Sequence, residues 1–419
     1  MVGRLRFVAF VLLLDGLPGC GGISRSVSTQ AGAGGADGHA GAGNAIGTGG
    51  ASGGTYSDAP PSQCVDGECP ATLPSAIAIG DSHVCVLVAD GTVNCWGSNA
   101  YGQLGDGTKV SHESPAPVKD VSNAHSVTSG GYHSCALLKD GTVSCWGLAG
   151  SQGTDAPSSG TPRLVPGVDR VTMIAAGGDY TCALREDATV WCWGSNVAGG
   201  VGDAEAYSPA RVEGITDAKT IAAGMLHACA SLADGSAKCW GWNGVGTLGD
   251  RTTIDRAQPV TVVGLDDVTA LALGWWVSCA LKKDGTVSCW GDNGTGALGV
   301  ARGRPDRSES VPPVAAIGLS NVVTLAAGGD HVCAGLNDGT VSCWGNNKYG
   351  QVGDGGGVDS VFSPSPVQGL SQVKSLSLSM VRSYALVDDG ETLSAWCWPC
   401  NEDFMGNSST VPMKSANGP

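Results

Sequence analysis

Cys135-Ala136-Leu137-Leu138-Lys139-Asp140-Gly141-Thr142-Val143-Ser144-Cys145-Trp146-Gly147 reads as a β-hairpin closed by a disulfide. Two short apolar runs flank Lys139-Asp140-Gly141, which has the make-up of a three-residue hairpin loop with a left-handed Gly141 at the bulge. Leu138 then faces Thr142 as a hydrogen-bonded pair. Counting outward, Leu137 faces Val143, Ala136 faces Ser144 and Cys135 faces Cys145. Alternation makes the cysteines a non-hydrogen-bonded pair, with Cα atoms about 4.5 Å apart, at the near edge of disulfide reach. A two-residue turn would put Cys135 opposite Trp146, so the bridge and the turn specify each other.

The same unit recurs along the chain. Cysteines ten residues apart stand at 85/95, 135/145, 182/192, 229/239, 279/289 and 333/343. Aligned on Cys85, Cys135, Cys182, Cys229, Cys279, Cys333 and Tyr384, the intervals are 50, 47, 47, 50, 54 and 51 residues. A period near fifty marks a repeat architecture. Most units offer a strand-like run ending in Gly, such as Thr172 to Gly177, and then the hairpin. After it come a Gly-rich loop, such as Ser98 to Gly107, and a Ser/Pro/Val segment, such as Ser363 to Val367. Proline is tolerated on an edge strand, which places that last segment outermost. Four short strands repeated seven times predict an all-β, seven-bladed propeller with four-stranded antiparallel blades. Thr410-Val411-Pro412-Met413 resembles the Pro/Val strand with no blade after it, so the expectation is that it joins the first blade and closes the ring.

The pattern Gly-x-x-His…Ala-Leu…Asp-Gly…Trp-Gly-x-Asn…Gly-Gln-Leu-Gly resembles the regulator-of-chromosome-condensation repeat over residues 76–413. That resemblance implies a seven-bladed propeller, in agreement with the repeat count. Departures are local: Leu148 to Gly153 is a degenerate loop, and the last hairpin carries about three extra residues.

Seventeen cysteines point to an oxidising compartment. Export agrees with the N-terminus. Arg4 and Arg6 precede an apolar run, Phe7 to Leu14, too short to span a bilayer, and Leu17-Pro18-Gly19-Cys20 resembles a bacterial lipoprotein signal box. The expected organisation is a signal peptide at 1–20 with Cys20 lipidated, a Gly/Ala/Ser-rich disordered tether at 21–63, and the propeller at 64–419. Such a tether spans roughly 35 Å as a flexible coil. The expected location is the bacterial outer membrane or cell surface, or the medium if Cys20 is only cleaved past. A lipid anchor would be the sole membrane contact.

One cysteine pair per blade does not converge on a point as a zinc site requires, which favours disulfides. Cys64, Cys69, Cys397 and Cys400 remain. Local pairing, Cys64 with Cys69 and Cys397 with Cys400, competes with cross-pairing of the two ends. Net charge −15 argues against a phosphate backbone as partner. His83, His133, His227 and His331 stand two before their cysteines, with Tyr180, Val277 and Arg382 in the other units. Residues equivalent in successive repeats make the same local hydrogen bond more readily than a metal ring. Asp106, Asp203, Asp250 and Asp354 lack the alternating ligand spacing of a calcium loop and read as turn formers. Trp96, Trp146, Trp193, Trp240, Trp290 and Trp344 suit inter-blade packing. No catalytic motif is present, and no cofactor or metal is expected.

Parity places the loops after the first and third strands of a blade on one face, opposite the Asp-Gly turns. That face varies from unit to unit, and variation on a fixed scaffold is where recognition can be written. The candidate binding residues are Trp275, Trp276, Met225, Leu226, Tyr132, Trp242, Tyr101 and Tyr349, with an Arg-bearing insertion at Arg302, Arg304 and Arg307. They suggest a monomeric, non-enzymatic, surface-tethered module for a protein or glycan partner. The resemblance implies a second reading, guanine-nucleotide exchange on a small GTPase, which export and acidity oppose. A hydrolase using the axial pocket is the third, and it would need convergent carboxylates.

Overall fold

The computed structural model describes residues 74–195, 199, 207–300, 312–388, 390, 393–399 and 413–414. The expectations for Cys20, the tether, Cys64, Cys69, Cys400, Asp203 and the Arg302–Arg307 insertion lie outside these residues.

Seven antiparallel four-stranded sheets follow one another along the chain, as blades at 74–117, 124–164, 171–211, 218–261, 268–315, 322–366 and 373–414. Within a blade the two middle strands are buried on both faces, as in His133–Leu138 and Val143–Gly147. They are therefore near-continuous apolar runs rather than alternating ones. The outermost strand is the exposed one. His112–Pro117 carries Pro115 and Pro117, and in blades 3 and 5 this strand shrinks to Ala210–Arg211 and Val314–Ala315. Short, proline-bearing edges resist pairing with other chains.

Hairpin register follows the turn chemistry. Leu137 pairs with Val143, Ala136 with Ser144 and Cys135 with Cys145. Gly141 has φ 80°, Leu138 N–H donates to Thr142 O, and Asp140 Oδ1 caps the turn by accepting from Thr142 N. The same register brings the cysteine Cα atoms to 4.1 Å in blade 2, and disulfides close the hairpins of blades 1 to 6. In blade 7 Tyr384 faces Cys397, which is itself disulfide-bonded.

The core is distributed between blades. Each of seven buried clusters joins two neighbours, with one tryptophan from the Cys-Trp positions in every cluster: Trp146 between blades 1 and 2, Trp193 between 2 and 3, and so on round the ring. Trp146 Nε1 donates to Gln103 O of the preceding blade at 2.9 Å, and Trp290 Nε1 to Thr247 O at 2.7 Å. A buried indole is better accommodated when its N–H finds an acceptor. The Gly-rich loop of the preceding blade supplies one to Trp146, Trp193, Trp290 and Trp344, whereas Trp398 Nε1 has no partner among the described residues.

Ring closure differs from the expectation. Met413–Lys414 pairs with Cys397 and Trp396, completing blade 7 and not blade 1. Blade 1 already has four strands of its own, so the terminal strand is not needed to complete it. The ends meet through side chains instead: Ile77, Ile79, Val84, Val86 and Trp96 pack against Tyr384, Leu386, Ala395 and Cys397.

Candidate binding face

Inner strands converge on the axis and end in glycine in six blades. A Cβ at Gly80 would stand 2.3 Å from Gly130 O, one at Gly130 2.4 Å from Gly177 O, and one at Gly224 2.4 Å from Gly274 O. Neighbouring backbones approach too closely there for any side chain. The following residues tie blade to blade: Gly131 N donates to Gly178 O, Gly178 N to Met225 O, Trp275 N to Gly329 O and Gly329 N to Ser379 O. This girdle surrounds an axial mouth of about 320 Å³, open solvent included, whose side-chain walls include Asp81, Met225, Trp275 and Met380.

A second ring of side chains stands one residue further along: Ser82, Tyr132, Asp179, Leu226, Trp276, Asp330 and Val381. The Gly-rich loops meet this ring on the same face, as parity requires. Trp242 of blade 4 lies edge-on to Trp276 of blade 5, ring centroids 4.7 Å apart, and Trp276 is edge-on to Trp275 at 6.4 Å. Tyr101 of blade 1 contacts Tyr132 of blade 2 at 5.2 Å. Tyr349 stands apart from both groups with Lys348 over its ring. Met225, Leu226, Trp242, Trp275 and Trp276 are half-buried, while Tyr101, Tyr132 and Tyr349 are exposed by 41%, 39% and 37%. The structure thus brings the candidate tryptophans into one cluster and two of the three tyrosines into another.

Electrostatics divide this face. Burial, and then the nearby Asp179, push the Asp81 carboxyl up to about 6. Burial also raises Asp179, and Tyr132 is raised by burial, then by Asp81, Asp179 and Tyr101. Blades 1 to 3 therefore present an acidic, phenolic side, and blades 4 and 5 an indole and thioether side. Asp81 and Met380 fall on the variable face that strand parity defines but were not among the candidate binding residues. Both occupy the place that is glycine in blades 2, 3 and 6, which is the signal that could have found them.

The histidines are structural. His83 Nε2 lies 2.7 Å from Ser134 Oγ, His133 Nε2 2.8 Å from Thr181 Oγ1, His227 Nε2 2.8 Å from Ser278 Oγ and His331 Nε2 2.9 Å from Ser383 Oγ, each across a blade boundary. Desolvation lowers all four, to about 4 for His133 and about 3 for the others, so they are neutral imidazoles. In Tyr180 the hydroxyl does the same work, donating to Gly224 O and His227 O. Among the described residues no three metal-ligating side chains converge. Asp106 and Asp250 accept from Asn99 and Asn243 and from their own Thr108 and Thr252, holding the Gly-rich loops in shape.

A closed ring of seven four-stranded blades, six of them clipped by a disulfide, defines a repeat-built β-propeller. Its repeats match the Regulator of chromosome condensation (RCC1) repeat at residues 90–137, 234–281, 284–334 and 338–381. A second description of that repeat matches 75–103, 124–153, 171–199, 218–247, 268–297 and 322–351. The chain belongs to the RCC1 repeat family. Among solved structures it is similar to Prp20p from Saccharomyces cerevisiae, with TM-score 0.65 and 22% identity over 74% of this chain and 80% of that one. It also matches the structure of Kap60 bound to yeast RCC1 (Prp20), with TM-score 0.68 and 23% identity over 78% and 84%. Human WBSCR16 gives TM-score 0.62 and 19% identity over 78% and 94%. These likenesses are of fold. The Prp20p structure was described with its binding properties to Gsp1p and histones.

Proposed function

We propose that this protein is an exported, monomeric, surface-tethered and non-enzymatic binding module, recognising a protein or glycan through the face around the axial mouth. The half-buried Trp242–Trp276–Trp275 cluster carries the reading. Large aromatic side chains on a loop face supply much of the energy of recognition when a partner completes their burial. Six oxidised hairpins support a compartment outside the cytosol, and the leader, Cys20 and the tether at 21–63 supply the export route and the anchor. A family relative whose binding to proteins has been described gives a precedent for a protein partner.

Nucleotide exchange on a GTPase is disfavoured, because its substrate lies in a reducing compartment where these bridges would be reduced. Hydrolysis in the mouth is disfavoured because Asp81 is the one carboxylate among its described lining residues. The test is capture from native envelope material by immobilised protein. Trp275→Ala/Trp276→Ala should abolish capture with the melting temperature nearly unchanged. A large loss of stability would show instead that the pair plugs the channel.

A further inference from the structure

The repeat itself shows which side chains of the axial mouth the fold can do without. Blades 2, 3 and 6 place Gly131, Gly178 and Gly329 at the position that tightens the girdle, and their blades close normally. Blades 1, 4, 5 and 7 place Asp81, Met225, Trp275 and Met380 there, and all four line the mouth. The girdle bonds are made by backbone groups, so these four side chains add a chemistry that the ring does not require. They are unlike one another: one carboxylate, two thioethers and an indole around a single small cavity.

The carboxylate is uncompensated. Among the described residues no cation and no hydrogen-bond donor reaches the Asp81 side chain, and the charge it feels most, Asp179, has its own sign. Arg382 of the adjoining blade 7 engages the Tyr384 hydroxyl, and Lys374 of the same blade pairs with Asp388. Meanwhile Met380 is 44% exposed, an apolar side chain left partly in water at the rim. An anion would be repelled by Asp81 and Asp179. A wholly apolar ligand would bury the carboxylate further without a partner, which is costly. A polyol would leave the thioether and indole walls poorly matched.

We propose that the axial mouth binds an alkylammonium or guanidinium group, as carried by a lysine or arginine side chain of the partner. Its charged head meets Asp81, and its aliphatic stem lies along Met225, Trp275 and Met380. Lysine and arginine combine a charged tip with an apolar stem, an indole face attracts cations, and thioethers adapt to an irregular stem. The chain's 38 acidic against 23 basic residues would steer a cation inward over longer range. This inference rests on the reading of this face as the recognition surface.

The test is calorimetric titration of the full chain at pH 7.5 with pentylamine and with a blocked Gly-Lys-Gly peptide. The Nε-acetylated form of that peptide is the neutral counterpart. Saturable binding of a cationic probe is expected, and loss of the charge–charge contact, by Asp81→Asn or by acetylation, should weaken it about tenfold or more. Asp81→Asn removes a buried charge, so the variant folds. Tighter binding of the peptide than of pentylamine would assign the source as a polypeptide side chain, and the reverse order a free amine. Equal binding of the acetylated peptide, indifference to Asp81→Asn, or no saturable binding of either cation would overturn the proposal. Loss of partner capture in Trp275→Ala/Trp276→Ala alongside normal capture by Asp81→Asn would refute the cation site while leaving the recognition face standing.

Discussion

His83 Nε2 and Ser134 Oγ lie 2.7 Å apart across the boundary of blades 1 and 2. Ser134 Oγ in turn donates to Gln103 O at 3.2 Å, so the imidazole must be the donor to the hydroxyl, with its bare Nδ1 left unpartnered. The pairing is a rule of the ring. Wherever a blade has histidine, the next blade has a hydroxyl one residue downstream in the repeat register: Ser134, Thr181, Ser278 and Ser383. Wherever it has Tyr180, Val277 or Arg382, the next blade has Ala228, Val332 or Val84.

A double-mutant cycle should expose that coupling. Ser134→Val strands a buried imidazole N–H and should cost about 1–3 kcal/mol. Adding His83→Val recreates the apolar pairing of Val277 with Val332 and should recover much of the loss. Additive losses in denaturant melts would show that the contact is incidental.

The same histidines fix the response to acid. Their folded values lie at about 3 to 4, below the ordinary 6.5 that they regain on unfolding. The unfolded chain therefore binds more protons below pH 6.5. Stability present above pH 6.5 is lost as pH falls towards 3, at up to roughly 1.4 kcal/mol per pH unit for each histidine. Urea melts at pH 7 and pH 5 check this; equal midpoints would contradict it.

Asp81 acts in the opposite sense. Its carboxyl is raised to about 6, so the folded state holds a proton that the unfolded state releases above pH 4. Stability from this group is present at low pH and lost as pH rises through about 6. Asp81→Asn should raise stability at pH 7.5 by on the order of 1–2 kcal/mol, after allowing for partial solvent contact, and have little effect at pH 4. A destabilised variant at pH 7.5 would mean that the carboxylate has a stabilising partner.

Closure by packing rather than by a shared strand predicts tolerance at the C-terminus. Deleting residues 408–419 removes the outer strand Met413–Lys414 of blade 7 and leaves the contact of blades 1 and 7 intact. The truncated chain should retain cooperative melting with a modest loss in midpoint. Failure to fold would show that the terminal strand locks the ring.

Much of this architecture was legible because it is local. The Lys139-Asp140-Gly141 loop dictates the register that sets Cys135 against Cys145, and both lie within one hairpin. The face bearing Trp275, Trp276 and Trp242 followed from strand parity. Closure was misread because a two-residue edge strand carries almost no register information, and Val411-Pro412 fits either end blade equally well. The acceptors of His83 and Trp146 lie 51 and 43 residues away on another blade, beyond any local pattern. The setting of Asp81 was hidden for a related reason: its neighbours at the axis come from blades distant in sequence.

The most direct test of the whole account is a peptide map of the unreduced protein, isolated under thiol-blocking conditions from the cells that make it. The account predicts linked peptides for Cys85–Cys95, Cys135–Cys145, Cys182–Cys192, Cys229–Cys239, Cys279–Cys289 and Cys333–Cys343. Each bridge contributes about 3 kcal/mol in the chain-entropy picture. Blocked free thiols in most of these hairpins would contradict it, and would return the propeller to a reducing compartment.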